Sequence, residues 1–369
     1  MENITYHRVI PENLKDAYVE FDQIDFNLDF KDRALVLGSV RLEGEVRVTK
    51  GGATLETIPT QQINLDGMVG AHSFVENYTT SIKGGRIIEN ITEYPRYAKM
   101  AMTATAGRSD MNNSNNVCEL KAPLDDMTNQ MLQGIVPKAQ PGVALRLDPD
   151  FSIKPLICLN SGAGNLSEKK TGPIRLSLQL VRNNGALFGN DMDATVSYEL
   201  RNLRLRFTSV PDEGSGSVVL KTKLNIKQSL QSSFSNIQTK VPAVCTAVSV
   251  SFQEQANENT AVNNNLTLDK VPNLSQTQFL FNDSTNTLIT YQIKNVSEVL
   301  QRYIDSFMDT GRNFLSLQNL ANNNGFGIGL DLGQAIDLSN QKFSLQVDSD
   351  LSSATPLIAY MYFHSFIEL

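Results

Sequence analysis

The stretch Val40-Arg41-Leu42-Glu43-Gly44-Glu45-Val46-Arg47-Val48 sets an apolar residue at almost every second position and a charge between them. In an extended chain successive side chains point to opposite faces, so this segment reads as a strand with one face on a core and the other near water. The pattern spreads outward from there. Upstream, Ile24, Phe26, Leu28 and Phe30 alternate with Asp25, Asn27 and Asp29. Downstream it returns at Ile174, Leu176, Leu178 and Leu180, and again from Leu200 to Phe207, where Leu203, Leu205 and Phe207 oppose Arg204 and Arg206. The later part of the chain repeats it at Val248, Val250 and Phe252, at Phe343, Leu345 and Val347, and from Leu357 to Phe366. Many strands separated by turn-rich stretches predict an all-β sandwich or barrel.

Two segments carry a helical period instead. Residues 92–104 read as a short helix, with Pro95 suited to a first turn. Residues 296–309 set Val296, Val299, Leu300, Tyr303, Ile304, Phe307 and Met308 on one face, with Asn295 and Glu298 as a cap. A lone amphipathic helix in a strand-rich chain is expected to plug one end of a sandwich.

At 369 residues the chain fits two domains of roughly 150–200 residues each. The connector Pro211-Asp212-Glu213-Gly214-Ser215-Gly216-Ser217 follows one strong strand and precedes another, which predicts units over 1–210 and 211–369. The polar stretches 106–117 and 253–265 read as exposed loops.

Composition narrows the function classes. Hydrophobic residues make up 41% and charged residues 19%, as in a globular protein with large cores. The net charge of −7, with no basic block, argues against specific nucleic-acid binding, which needs clustered Lys and Arg. No apolar run approaches the roughly 18 residues of a spanning helix, and the first residues lack the basic and apolar regions of a secretory signal. The cysteines, Cys118, Cys158 and Cys245, are odd in number and far apart, so buried thiols are expected rather than a disulfide framework.

The sequence offers no recognisable catalytic, cofactor-binding or metal-ligating set. His7, His72 and His364 stand in unrelated contexts, without the spacing of a metal triad or a hydrolytic arrangement. Gly325-Phe326-Gly327-Ile328-Gly329 lacks the spacing of a phosphate loop and leads into further strand; its glycines suggest a bulge or a close backbone approach. The acid pairs Asp148/Asp150 and Asp191/Asp193 do not follow the calcium-loop pattern and fit turns. Paired carboxylates of a glycosidase remain an alternative, weakened by the absence of Trp and an aromatic content of 7%.

Several stretches, in order along the chain, resemble the double jelly-roll capsid proteins of the adenovirus, tectivirus, virophage and polinton-like lineage. They are Asn64-Leu65-Asp66-Gly67-Met68-Val69-Gly70-Ala71-His72-Ser73-Phe74, continuing through Ile82–Ile91 to Tyr94; Phe151–Leu156 with Gly172–Leu180; Tyr198-Glu199-Leu200-Arg201-Asn202-Leu203-Arg204-Leu205; and Phe326–Leu332 with the last two strands. The resemblance implies two tandem eight-stranded jelly-roll sandwiches with short helices in connecting loops. It also implies a non-enzymatic major capsid subunit without cofactors, assembled inside the host cell and resident in the virion. Such subunits form homotrimers of pseudo-hexameric outline that contact neighbouring capsomers and penton and minor capsid proteins, tiling an icosahedral shell around a DNA genome. The chain is short for the eukaryotic members, implying small tower loops. An internal membrane is compatible with the lineage but not indicated, because the amino terminus shows no evident amphipathic anchor. The competing readings are a penton or minor capsid protein, a carbohydrate-binding or glycoside-cleaving sandwich, and a secreted adhesin.

Overall fold

The computed structural model describes residues 3–54, 63–106, 118–121, 150–162, 164–214, 216–240, 244–269, 276–282, 287–293, 296–307, 325–338, 342–351 and 356–369. The first strands are β1 (Thr5–Val9), β2 (Gln23–Leu28), β3 (Arg33–Val36), β4 (Arg41–Lys50), β5 (Ala53–Thr54), β6 (Val75–Ile82) and β7 (Arg86–Ile91). Helix α1 (Tyr94–Thr105) follows, then β8 (Asp150–Ile153), β9 (Asn165–Ser167), β10 (Ile174–Leu180) and β11 (Val196–Pro211). The remainder holds β12 (Val219–Leu230), β13 (Phe234–Lys240), β14 (Val244–Glu254), β15 (Gln276–Asn282), β16 (Thr287–Ile293), helix α2 (Val296–Asp305), β17 (Ile328–Asp337), β18 (Lys342–Asp348) and β19 (Leu357–Glu368).

Pairing turns this order into a repeat that the residues themselves do not display. Setting aside the short β3, β5 and β9, the first eight strands lie as β1-β11-β4-β8 and β2-β10-β6-β7. Counted in chain order, these sheets run 1-8-3-6 and 2-7-4-5. The second group gives β12-β19-β14-β17 and β13-β18-β15-β16, the same two orders, again antiparallel throughout. First strand against last and second against seventh is the pairing of a jelly roll. The fold is therefore all-β, with two jelly-roll sandwiches in tandem. The three short strands widen the first sandwich: β3 pairs with β11 and β9, and β5 extends β4.

Alternation becomes burial as the sequence predicts. In β10 Ile174, Leu176, Leu178 and Leu180 are buried, while Arg175 is exposed and Ser177 and Gln179 are partly so. In β11 Leu203, Leu205 and Phe207 are buried and Arg204 is exposed. Alternation breaks down in β14 and β19, buried on both faces from Cys245 to Gln253 and from Leu357 to Phe363. The cause is packing. Val248, Val250 and Phe363 belong to the face turned toward the second sandwich's core, where Phe363 meets Phe343 edge-on, and Ser249, Tyr362 and His364 belong to the opposite face. That opposite face is covered by α1 and α2.

Three expectations need correction. Helix α2 does not plug an end: it lies on that outward face, with Ser306 Oγ 3.0 Å from Ser249 Oγ. Stretch 253–265 is not simply an exposed loop, because Gln253 and Asn265 are buried as partners of an arginine from the first sandwich. Cys118 is exposed, unlike the buried Cys158 and Cys245. The segment 107–117, Asp148, Asn295 and Met308 lie outside the described residues.

The glycine-rich run behaves as its composition suggests. A Cβ on Gly327 would stand 1.8 Å from the Val250 carbonyl oxygen, and one on Gly329 2.5 Å from Ser306 Oγ. Only glycine permits this approach of β17 to β14 and α2.

Candidate functional site: the junction between the two sandwiches

The residues with the most demanding chemistry gather where the two sandwiches meet, and α1 organises them. Pro95 opens the helix, whose missing N–H costs nothing in the first turn, and Glu93 precedes it in the left-handed region at φ 51°. The helix is buried from Tyr94 to Ala104, so Arg96 and Lys99 enter the interior with it. A buried charge must find partners or be neutralised. Both find them, largely in distant parts of the chain.

The Arg96 guanidinium, 3% exposed, donates to the carbonyl oxygens of Thr267 at 2.7 Å and of Asn265, and to Gln253 Oε1. Its Cζ lies 4.4 Å from the centre of the Tyr360 ring, adding a cation–π contact. Lys99 Nζ donates to Asp66 Oδ2 at 2.7 Å. Asp66, 1% exposed, also accepts from the Met68 and Val69 N–H groups and from Asn264 Nδ2. Burial pushes its carboxyl up, but the Lys99 ammonium and these hydrogen bonds outweigh burial and hold it below the usual value.

Charges from the second sandwich point back in the same way. On β12, Lys223 Nζ donates to the Leu156 carbonyl at 3.0 Å and lies 3.8 Å from Glu89 Oε1. Burial pushes the Glu89 carboxyl up despite Lys223 and the Cys158 N–H. Asn225 joins Thr92 through its side-chain oxygen and nitrogen. Lys227 bridges Glu93 at 3.0 Å and Glu258. Tyr362 donates to the Glu93 carbonyl at 2.8 Å, and Tyr303 of α2 to the Met100 carbonyl of α1 at 3.1 Å.

Two cavities flank this seam. One of about 230 Å³ is lined by Glu76, Glu93, Arg182, Lys227, Glu258 and Tyr360 among others. Burial, reinforced by Glu93, pushes the Glu76 carboxyl up to about 7, against Lys227 and Arg182. The other, about 500 Å³, lies among Tyr97, Leu156, Ile157, Lys223, Phe307 and His364.

The structure keeps the three histidines apart. His7 stacks on Phe207 and meets Ser209 Oγ at 2.8 Å. His72, buried in the turn Gly70–Phe74, meets Tyr94 Oη at 2.7 Å through Nδ1, and its Nε2 lies 3.7 Å from Glu119. His364 meets Ser249 Oγ at 2.7 Å, and burial pushes its imidazole down to about 3, so it is neutral. Asp193 anchors a turn through Thr195 and pairs with Lys50 at 3.0 Å. No group of three or more potential metal ligands occurs among the described residues. None of the described helices is long and apolar enough to cross a membrane.

Sequence reasoning did not single out this seam. The available signal was two cations, Arg96 and Lys99, inside a helix otherwise rich in Ala, Met and Tyr.

Comparison with solved structures bears out the architecture. The chain superimposes along all its length on the Faustovirus major capsid protein at a TM-score of 0.63, covering 90% of that chain at 8% identity. It matches the PBCV-1 virus capsid at 0.58, covering 100% of this chain and 95% of that one at 9% identity. It matches Sulfolobus Turreted Icosahedral Virus at 0.53, covering 99% and 90% at 11% identity. These neighbours are double jelly-roll capsid proteins. No protein-family model and no curated protein matches the sequence. At such identities the likeness establishes a shared fold.

Proposed function

We propose that the chain is the major capsid subunit of an icosahedral DNA virus, a structural and non-enzymatic virion protein. One observation carries this reading: the same 1-8-3-6 and 2-7-4-5 sheets occur twice, joined through a seam of buried ion pairs and hydrogen bonds. Such a seam holds two sandwiches in one fixed relation, as a rigid tile requires. Three such subunits would set six sandwiches in a near-hexagonal outline, a shape that covers a flat facet. The division into 1–210 and 211–369 follows as part of the proposal, with β11 ending at Pro211 and β12 opening at Val219.

The partners on this reading are further copies of the chain, then neighbouring capsomers and penton and minor capsid proteins. The acidic net charge suits a shell that encloses a genome without gripping it. Electron microscopy of the purified protein tests the proposal. Hexagonal particles of three subunits are expected, and pentagonal particles would move the chain to the penton role.

A further inference from the structure

Asp66 Oδ2 receives two hydrogen bonds of 2.7 Å, one from Lys99 Nζ on α1 and one from the side-chain Nδ2 of Asn264, beyond β14 in the second sandwich. An amine and a carboxamide therefore meet on one buried carboxylate oxygen. The second Asp66 oxygen is fixed by the Met68 and Val69 N–H groups at 2.9 and 3.0 Å, so the carboxylate cannot rotate away without losing both. The Asn264 amide oxygen accepts from the Leu266 N–H at 2.9 Å, which polarises its carbonyl toward attack. Met68, Val69 and Leu266 are buried around the group and limit access of water.

We propose that this is a self-modification site at which Lys99 Nζ and Asn264 Cγ become joined by an intramolecular amide bond, linking the two sandwiches covalently. The ammonium first passes a proton to Asp66, giving a neutral amine beside a neutral acid. The transfer spans one hydrogen bond; the ion pair is the resting form, and attack proceeds from its neutral minority. The Nζ lone pair then attacks Cγ, and negative charge gathers on the amide oxygen facing the Leu266 N–H. The Cγ–Nδ2 bond breaks, and Nδ2 takes up a proton from Asp66 and leaves as ammonia. The attacking nitrogen carries two hydrogens after attack; it returns one to Asp66, which ends protonated, and keeps the other. Two side chains become one secondary amide plus ammonia, with no oxidant, metal or cofactor required. The chemistry is nucleophilic acyl transfer with a carboxylate as proton carrier.

The test is the intact mass of the denatured full chain, freshly purified and after prolonged storage. The expected mass is lower than that of the sequence by one ammonia, allowing for removal of Met1. Protease digestion should then yield a branched peptide joining the Lys99 and Asn264 fragments. Lys99→Arg retains a cation opposite Asp66 but cannot form this amide, and Asp66→Asn removes the proton carrier; both should show the full sequence mass. The proposal is overturned by a wild-type chain of full mass in both samples, or by loss of ammonia that persists in Lys99→Arg.

Discussion

Tyr303, on the helix that follows the fifth strand of the second sandwich, donates its hydroxyl hydrogen to the carbonyl of Met100, on the helix at the same point of the first. Two topologically equivalent helices thus meet back to back, with Tyr97 and Phe307 packed beside the bond. Both partners are buried, so Tyr303→Phe leaves the Met100 oxygen without this donor. The expected loss is about 1–2 kcal/mol in chemical denaturation, with the fold retained.

Arg96 holds more. Its three acceptors all lie in the second sandwich, and Arg96→Met would leave the buried acceptors on Gln253 and Asn265, and the Thr267 carbonyl, without their cation. A loss of about 3 kcal/mol or more is expected by the same measurement. Hydrogen exchange should rise first in α1 and around Asn265, where the seam is released.

Glu76 predicts a pH dependence. Its carboxyl titrates near 7 in the folded chain, against an ordinary 4.5, because burial and then Glu93 disfavour its charge while Lys227 and Arg182 favour it. Between these values the unfolded chain is ionised and the folded chain remains protonated. This group's contribution is therefore complete below about pH 4.5, falls as pH rises toward 7, and is flat beyond. The full swing is on the order of 3 kcal/mol. Glu76→Gln should remove that slope, read as the difference between the two stability–pH profiles. Parallel profiles would contradict the assignment.

Gly327 and Gly216 form a matched pair. A methyl on Gly327 would strike the Val250 carbonyl, whereas one on Gly216 meets nothing within 4 Å. Gly327→Ala should cost about 1–3 kcal/mol by overpacking, and Gly216→Ala should be nearly neutral. Thermal unfolding of both variants checks the contrast.

How much of this was legible depended on the range of each interaction. Strands β2, β4, β10 and β11 declare themselves through alternation, because a sheet with one wet face writes its period into the chain. Strands β14 and β19 show it only in part, since helices cover their second face and Ser249 and His364 are buried there or nearly so. The repeated topology is invisible residue by residue: it rests on pairings such as Thr5 with Ser209 and Val219 with Glu368, which local sequence does not encode. The seam escaped for the same reason. Arg96 and Lys99 fall inside the short helix expected over 92–104, and the sequence does not reveal that Gln253 and Asn264 come to meet that helix. The resemblance to double jelly-roll capsid proteins anticipated the architecture, and the sheet orders now give it a physical basis.

On the proposed function, this pair of sandwiches is one third of a capsid tile. Native mass spectrometry of the purified full chain tests it most directly. A homotrimer is expected as the dominant species; a stable monomer or a pentamer at micromolar concentration would overturn the proposed role.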